Sequence, residues 1–289
     1  MYDDVLLPFD GSDGAAAVLH HAAELAHWGD ATVHLLFVAD TSRDSVTVVE
    51  GRTVDALARQ GEDVVAEGAE TLQSLGVDYE TDVVQGNPAP TIVAYAERYG
   101  HDLVVMPTHG RDGVARYLLG SVTEKVVRLS SVPVLTARMD DDEQFAFPYE
   151  DVLVPTDGSE AAVRAADYGL SLASALGATV HALSIVDDTT LGPDVRSTAL
   201  SEAGETAAQE ALDGLESQAG DHGHASVVRH VEHGRPVEGI LSCVDANDID
   251  AVVMGTTGRR GTDRILLGSV AEKTVRSAPV PVITVGDPD

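Results

Sequence analysis

The sequence contains the segment Asp4-Val-Leu-Leu-Pro-Phe-Asp-Gly-Ser12, which recurs 147 residues later as Asp151-Val-Leu-Val-Pro-Thr-Asp-Gly-Ser159. Each copy is a short apolar run that ends in Asp-Gly-Ser, a pattern typical of a buried strand followed by a tight turn. The stretch from Leu118 to Arg128 recurs in the same way, at an offset of 148, as Leu266 to Arg276. Repeats this far apart indicate two complete homologous domains, with a net insertion of one residue early in the second.

Strand-like and helix-like segments alternate within each half. In the first half the patterns predict strands at 5–9, 32–38, 77–84, 103–106 and 132–137. They predict helices at 15–28, 53–75, 88–99 and 121–129. Such alternation favours an α/β fold in which a parallel sheet is covered by helices on both faces. Ligands of these sheets bind at the carboxyl ends of the strands, where the Asp-Gly-Ser turns are expected to lie.

An acidic stretch separates the two copies. Residues 139–149 contain Asp140-Asp-Asp-Glu143 and Pro148, a composition typical of an exposed linker. The sequence therefore predicts a first domain at 1–138, a linker at 139–149 and a second domain at 150–289.

The charge balance is strongly acidic, with 48 Asp and Glu against 18 Lys and Arg and a formal net charge of −30. This argues against nucleic acid as a partner, because phosphate backbones require basic surfaces. A partner-binding surface or adaptation to molar salt would each explain the acidity. The even spread of the acidic residues and the presence of only two lysines favour a halophilic source.

Several features of the sequence predict a cytoplasmic protein that does not act at a membrane. No apolar run approaches the ~20 residues of a membrane-spanning helix. The acidic N-terminus does not resemble a secretory signal, and the single cysteine, Cys243, fits a reducing compartment. The eleven histidines show no metal-ligand spacing, so they are predicted to be solvated, and no metal site is expected from the protein alone.

A glycine-rich segment in the second half carries the strongest indication of ligand binding. It places Gly255 directly after a predicted strand, Gly258 three residues later, and Gly268-Ser269 at the start of a predicted helix. Glycine allows close backbone approach, and a helix N-terminus offers unpaired N–H groups to an anion. Arg259 and Arg260 add local positive charge. The segment matches neither the P-loop nor the dinucleotide-binding glycine motif.

This spacing, G-x2-G-x9-G-[ST], together with Pro-x-Asp-Gly-Ser after the first strand, closely resembles the universal stress protein family, in two tandem copies. The resemblance implies two doubly wound domains, each with a five-stranded parallel sheet in the order 3-2-1-4-5. It also implies ATP, or the related AMP or ADP, bound between the loops after strands one and four. The nucleotide-binding residues implied for the second half are Pro155, Thr156, Asp157, Val186, Gly255, Gly258, Arg259, Gly268, Ser269 and Val270.

Individual roles follow from the same resemblance. Asp157 is implied to lie beside the nucleoside, the backbone of Val186 to meet the adenine, and Gly255 to line the ribose. Gly258, Gly268, Ser269 and Val270 are implied to hold the phosphates. For the first half, matching by position gives Pro8, Asp10, Val38, Gly110, Gly120, Ser121 and Val122.

The first half departs from the family pattern at one position. Pro107 stands where the second half has Gly255. Proline has no N–H and adds a ring on the side of the predicted ribose. The second half is therefore expected to bind ATP at least as well as the first.

Simpler explanations exist for several of these residues. Ser121 and Ser269 each precede a glutamate by three residues, as in a capping box that stabilises a helix start without a ligand. Asp10 and Asp157 would cap the following turn. The two lysines, Lys125 and Lys273, occupy equivalent positions and would form surface ion pairs, as an alternative to a contact with nucleotide or another subunit.

The sequence thus predicts a cytoplasmic stress-response protein in which ATP, accompanied by Mg²⁺, acts as a regulatory ligand. Two alternatives stay open, namely a protein-interaction module with degenerate sites and a weak ATPase. No positioned nucleophile or general base is evident, so efficient hydrolysis is not implied. The resemblance further implies that the last strands of the two domains pair into an intrachain pseudo-dimer, with further homodimerisation left open and the signalling partner unknown.

Overall fold

The computed structural model describes residues 1–40, 46–49, 52–108, 119–138, 145–187, 198–223, 226–257 and 267–287. The chain divides into two compact units, Met1–Gln144 and Phe145–Asp287. Among the helices described, none combines the length and the apolar character that crossing a membrane requires.

The first unit contains a five-stranded parallel sheet with helices between its strands. The strands of this unit are β1 (Asp4–Pro8), β2 (Thr32–Asp40), β3 (Val46–Val49), β4 (Arg52–Asp55), β5 (Tyr79–Gly86), β6 (Leu103–Pro107) and β7 (Val134–Ala137). Of these, β3 and β4 are not part of the parallel sheet. Its helices are α1 (Asp13–Gly29), α2 (Ala56–Leu75), α3 (Pro88–Tyr99) and α4 (Ser121–Leu129). The parallel strands follow the order β5-β2-β1-β6-β7.

The second unit repeats this arrangement. Its strands are β8 (Asp151–Pro155), β9 (Thr179–Val186), β10 (Val227–His233), β11 (Ala251–Gly255) and β12 (Val282–Val285). Its helices are α5 (Glu160–Leu176), α6 (Thr198–Asp221), α7 (Pro236–Ala246) and α8 (Ser269–Ser277). The sheet order is β10-β9-β8-β11-β12. Counted within each unit's parallel sheet, both orders are 3-2-1-4-5, so the predicted α/β fold class is confirmed.

One element of the first unit differs from the prediction. The strands β3 and β4 form an antiparallel hairpin, and the helix predicted from residue 53 begins at Ala56. The segments Val46–Val49 and Arg52–Asp55 are rich in valine and threonine, which favour extended backbone over helix. The prediction of helix for residues 53–55 was therefore wrong.

Small aliphatic side chains build the core of each unit, in a sequence of which only 4% is aromatic. Val5, Leu6 and Leu7 in β1 are fully buried, and alanines form the inner faces of α1 and α5. Both helices begin with a serine cap, because the backbone N–H groups of Ala15 and Ala162 donate to the Oγ of Ser12 and Ser159. These caps start the first helix of each unit directly after the turn that follows its central strand.

Strand register shows where the two copies differ by one residue. Asp4 pairs with Thr32 and Asp151 pairs with Thr179, so the offset of 147 still holds in the second strand of each unit. The third strands, β5 and β10, are displaced by 148 residues. The extra residue therefore lies between β9 and β10.

The predicted linker lies only partly within the described chain. Residues 139–144 are outside it. Tyr149, at the other end, is 1% exposed and its ring packs edge-to-face on that of Phe147. This end of the stretch therefore packs as part of the second unit, while the exact domain boundaries stay a prediction.

Candidate functional site

The second unit contains a cavity of about 850 Å³ at the carboxyl ends of β8, β9 and β11. The starts of α7 and α8 close its sides. Cavities of this size accommodate small ligands and cofactors. The position agrees with the general rule that open parallel sheets bind ligands at the carboxyl ends of their strands.

Apolar side chains line the part of the cavity formed by β9 and α7. Leu183 and Ile185 come from β9, and Val237 and Ile240 come from α7. Pro236 starts α7, where its missing N–H has no consequence for helix hydrogen bonding. This part of the cavity can bury a flat apolar group such as a nucleobase.

The other side of the cavity is the N-terminus of α8. Gly268 is the cap residue; its N–H donates to the carbonyl of Thr256 (2.7 Å), and its carbonyl accepts from the N–H of Glu272 (2.9 Å). The N–H of Gly268 is thus used within the protein, whereas the N–H groups of Ser269 and Val270 belong to the first helical turn and have no partner inside the helix. These two N–H groups and the positive end of the helix suit an anion.

The proposed capping boxes are not present in the described structure. Gly120 and Gly268, not Ser121 and Ser269, are the cap residues, and no described side chain caps α4 or α8. Glu272 instead accepts a hydrogen bond from Arg276 one turn later (2.5 Å). The capping-box interpretation was wrong, because each helix starts one residue earlier than that interpretation requires.

Gly255 is required by the packing of α5 on β11. A Cβ at this position would lie 2.8 Å from the carbonyl oxygen of Ala161 and 3.0 Å from its Cβ. Real Cβ atoms rarely approach other atoms below 3.0 Å. In the first half the equivalent residues are Pro107 and Gly14, so the larger residue is on the strand and the smaller one on the helix.

A second difference between the halves lies at the carboxyl end of the fourth parallel strand, β6 in the first half. The hydroxyl of Thr123 donates to the carbonyl of Pro107 (2.9 Å), in a buried position. The residue equivalent to Thr123 in the second half is Ala271, which lines the cavity. The first half therefore carries additional side-chain volume at both positions.

Asp10 and Asp157 cap the turns that follow the first strand of each unit. The Oδ1 atoms accept hydrogen bonds from the N–H groups of Ser12 and Ser159, both at 3.0 Å. The turn-capping interpretation is therefore confirmed. Asp157 is also exposed and lines the cavity, so its structural role leaves the carboxylate next to the space for a ligand.

Val186 lies between two residues that line the cavity, Ile185 and Asp187. Its carbonyl accepts a hydrogen bond from the N–H of Gly234 (3.0 Å), which occupies one of its two lone pairs.

The first-half counterpart of Val186 was assigned incorrectly. Val38 pairs with Val84 in the sheet, whereas Ala39 has the register that corresponds to Val186. The prediction of Val38 was wrong by one residue, because the offset of 148 was applied before the extra residue had been reached.

The described cavity lining carries charges of both signs. Asp157, Asp187 and Glu238 contribute carboxylates, and Arg235 pairs with Glu238 (2.9 Å). Lys273 is exposed and forms no ion pair with a described carboxylate. The surface ion pair expected for Lys273 is thus absent from the described chain.

The structure brings together most of the residues that the sequence predicted for the second half. Those that line the cavity are Pro155, Thr156, Asp157, Gly255, Gly268, Ser269 and Val270. Gly110, Gly258 and Arg259 lie outside the described residues. In the first half, Pro8 and Asp10 lie at the carboxyl end of β1. Gly120, Ser121 and Val122 lie at the start of α4.

Sequence reasoning missed a set of histidines toward the amino ends of the strands, away from the cavity. His34 Nε2 lies 2.7 Å from Asp4 Oδ1, and His181 Nε2 lies 3.0 Å from Asp151 Oδ1. Both pairs recur at the offset of 147, a signal that was available in the sequence. His230 Nε2 lies 3.0 Å from His181 Nδ1, so the prediction that His230 is simply solvated was wrong.

Burial lowers the pKa values of two histidines, His230 and His101. Desolvation, followed by the nearby charge of His181, lowers the pKa of His230. Desolvation, followed by His34, lowers the pKa of His101, whose ring is 5% exposed. Within the described ranges, no three His, Cys, Asp or Glu side chains are arranged to hold a metal ion.

Comparisons with known proteins agree with this architecture. The family model for the universal stress protein family matches residues 1–138 and 148–286. A universal stress protein of Methanocaldococcus jannaschii is 36% identical over 141 residues, covering 48% of this chain and 83% of its own. One of Mycobacterium tuberculosis is 31% identical over 236 residues, covering 78% of this chain and 76% of its own.

A solved structure resembles the chain over nearly its whole length. It is a universal stress protein of Archaeoglobus fulgidus, with a TM-score of 0.72 and 25% sequence identity. The match covers 99% of this chain and 97% of the other. The tandem arrangement of two such domains is therefore found in a solved relative.

Proposed function

The chain belongs to the universal stress protein family, and we propose that the cavity of its second half binds an adenine nucleotide, ATP first among them, as a regulatory ligand. The observation that carries this proposal is the composition of one cavity. It combines an apolar part, formed by β9 and α7, with a helix N-terminus whose first N–H groups have no partner within the helix. A nucleotide has the matching division into an apolar base and an anionic phosphate chain.

The described residues suggest a role for each part of the ligand. The base would lie against Leu183 and Ile185, with the backbone of Val186 at its polar edge. The carboxylate of Asp157 would accept hydrogen bonds from ribose hydroxyls. The phosphates would lie at the N–H groups of Ser269 and Val270.

Gly255 and Gly268 contribute mainly through shape. Gly255 keeps the strand end free of side-chain atoms where α5 packs closely. The N–H of Gly268 is already bonded to Thr256, so this residue would place the phosphate-binding turn rather than donate to phosphate. Gly258 and Arg259, which the family resemblance assigns to the phosphates, remain part of the proposal.

The bound nucleotide would be accompanied by a cation. A triphosphate in a cavity that also contains the carboxylates of Asp157, Asp187 and Glu238 requires counter-charge, which Mg²⁺ supplies. ADP and AMP carry fewer negative charges and need less counter-charge. Their affinities relative to that of ATP show how much the outer phosphates contribute to binding.

The first half is proposed to be the weaker site. Pro107 and Thr123 add atoms where the second half has Gly255 and Ala271. A nucleotide placed as in the second half would therefore meet more side-chain volume in the first half.

We also propose that the protein works in the cytoplasm of a halophilic cell. The net charge of −30 and the single cysteine, which is free and buried, support this proposal. The intrachain pseudo-dimer and any further homodimer stay predictions.

Calorimetric titration with ATP in molar KCl, with and without Mg²⁺, tests the proposal. Ser269→Asp places a carboxylate at the predicted phosphate position, and Ser121→Asp is the matched control in the first half. Both serines are exposed and occupy the first helical position, where an acidic residue favours the helix. We expect Ser269→Asp to abolish most ATP binding and Ser121→Asp to have a smaller effect.

Other outcomes identify other functions. Equal losses from Ser269→Asp and Ser121→Asp would contradict the difference between the halves. The absence of any heat of binding in the unmodified protein would favour the protein-interaction module. Phosphate release that ATP drives and Ser269→Asp removes would favour the weak ATPase.

A further inference from the structure

Lys273 lies on α8 four residues, about one helical turn, after Ser269, and both residues line the cavity. Residues four apart share one face of a helix. Side chains on a helix also lean toward its N-terminus, so the long side chain of Lys273 is directed back toward Ser269. An ammonium group can therefore reach the space in front of the first turn of α8.

The charge of Lys273 is not committed to another described residue. Arg235, the other described cation of the lining, is paired with Glu238 at 2.9 Å. Arg276, on the same helix as Lys273, is paired with Glu272 at 2.5 Å. Within the described chain, Lys273 has no carboxylate within ion-pair distance. It is thus a lining cation that a ligand can use.

A lysine at position 273 is unusual within this sequence. The chain contains two lysines and sixteen arginines, and both lysines stand at equivalent places in α4 and α8. A lysine ammonium is a compact point charge with three rotatable donors, which suits a phosphate that is not held in one fixed orientation. The terminal phosphate of a nucleotide, nearest the solvent, is such a group.

Resting on the function proposed above, we propose that Lys273 is a specificity-determining residue that selects nucleoside polyphosphates over the monophosphate and the nucleoside. The N–H groups at the start of α8 would hold the inner part of the phosphate chain. Lys273, which is exposed at the rim, would contact its outer part. Removal of its charge would then weaken ATP most, ADP less and adenosine not at all.

The test compares the affinities of ATP, ADP, AMP and adenosine for four proteins at one fixed KCl concentration. The proteins are the unmodified chain, Lys273→Gln, Lys273→Arg and Lys125→Gln. We expect Lys273→Gln to weaken ATP binding about five- to tenfold and to leave adenosine unchanged; this is less than the loss of a buried charged hydrogen bond, because Lys273 is exposed and screened by salt. Lys273→Arg keeps the charge and should retain most of the ATP affinity.

Lys125→Gln is the matched control, because it removes the same charge from the equivalent helix position. It should leave ATP affinity at the level of the unmodified chain. Because Lys273 is exposed, its replacement should not alter the fold, which thermal melting checks directly. Raising the KCl concentration should reduce the difference between Lys273→Gln and the unmodified chain.

Three results would overturn the inference while the proposed function stands. These are an unchanged ATP affinity in Lys273→Gln, an equal loss for adenosine, and an equal loss in Lys125→Gln. If the unmodified chain binds none of the four compounds, the proposed function fails and this inference fails with it.

Discussion

Substitution of Gly255 by alanine tests why the two halves carry different residues at the end of the fourth parallel strand. The added Cβ would lie 2.8 Å from the carbonyl oxygen of Ala161, 2.9 Å from its carbonyl carbon and 3.0 Å from its Cβ. Two of these atoms are backbone, so the contact can be relieved only by a shift of α5 or β11. Overpacking of this kind costs about 1–3 kcal/mol of stability.

The first half suggests how the clash can be relieved. It has Pro107 on the strand and Gly14 on the helix, the opposite arrangement of large and small residues. Ala161→Gly removes one of the three close contacts and loosens the first turn of α5, at a cost of about 0.5–1 kcal/mol in helix propensity. The double variant should therefore be more stable than the sum of the single changes predicts, by about 0.5–1.5 kcal/mol.

Denaturant unfolding of the four proteins of this cycle, followed by circular dichroism in molar KCl, measures the coupling. Gly214→Ala serves as the control, because a Cβ at Gly214 in α6 would meet nothing within 4 Å. This change should raise stability by up to about 1 kcal/mol. Additive effects of Gly255→Ala and Ala161→Gly, within about 0.5 kcal/mol, would refute the explanation by steric complementarity.

Three further results are expected. Burial and His181 lower the pKa of His230 below its ordinary value, so the folded state binds fewer protons than the unfolded state. The melting temperature should therefore fall as the pH drops below about 6.5, and it should fall less steeply in His230→Gln. Asp250 Oδ2 accepts the N–H groups of Glu150 (2.7 Å) and Asp151 (3.0 Å), so Asp250→Ala should cost about 1–2 kcal/mol in denaturant unfolding, and Asp250→Asn less. Removal of salt should unfold the chain, with its net charge of −30, as circular dichroism would report.

The repeated segments predicted two α/β domains, whereas the strand order 3-2-1-4-5 came from the family resemblance. The offset of these segments identified two domains, and the apolar runs around them located the strands of the parallel sheets. The residues after β8 and β11 could also be placed in one site, because the carboxyl ends of neighbouring parallel strands lie at one edge of a sheet.

Other features depend on contacts that no local pattern contains. The capping-box pattern at Ser269 could not show that Gly268 is the cap residue of the helix and donates its N–H to the carbonyl of Thr256. The position of the extra residue between β9 and β10 could not be deduced either, so Val38 was matched to Val186 in place of Ala39. Both features are fixed by tertiary packing and strand register.

The histidines are a different case, because part of their arrangement was present in the sequence. His34 and His181 recur at the same offset as Asp4 and Asp151, to which they are bonded. A comparison of polar residues between the two copies would have paired them. The contact between His181 and His230 has no counterpart in the first half, where Asp82 stands at the equivalent position, and required the structure.

Equilibrium dialysis of the intact chain against ATP in molar KCl, with the bound nucleotide counted per chain, tests the central claim most directly. We predict that the tighter site binds one ATP per chain at low micromolar to millimolar concentrations, and that Ser269→Asp removes most of this binding whereas Ser121→Asp removes little of it. No bound ATP at any concentration in this range, or binding as tight in Ser269→Asp as in the unmodified chain, would contradict the assignment of the second-half cavity as the main nucleotide site.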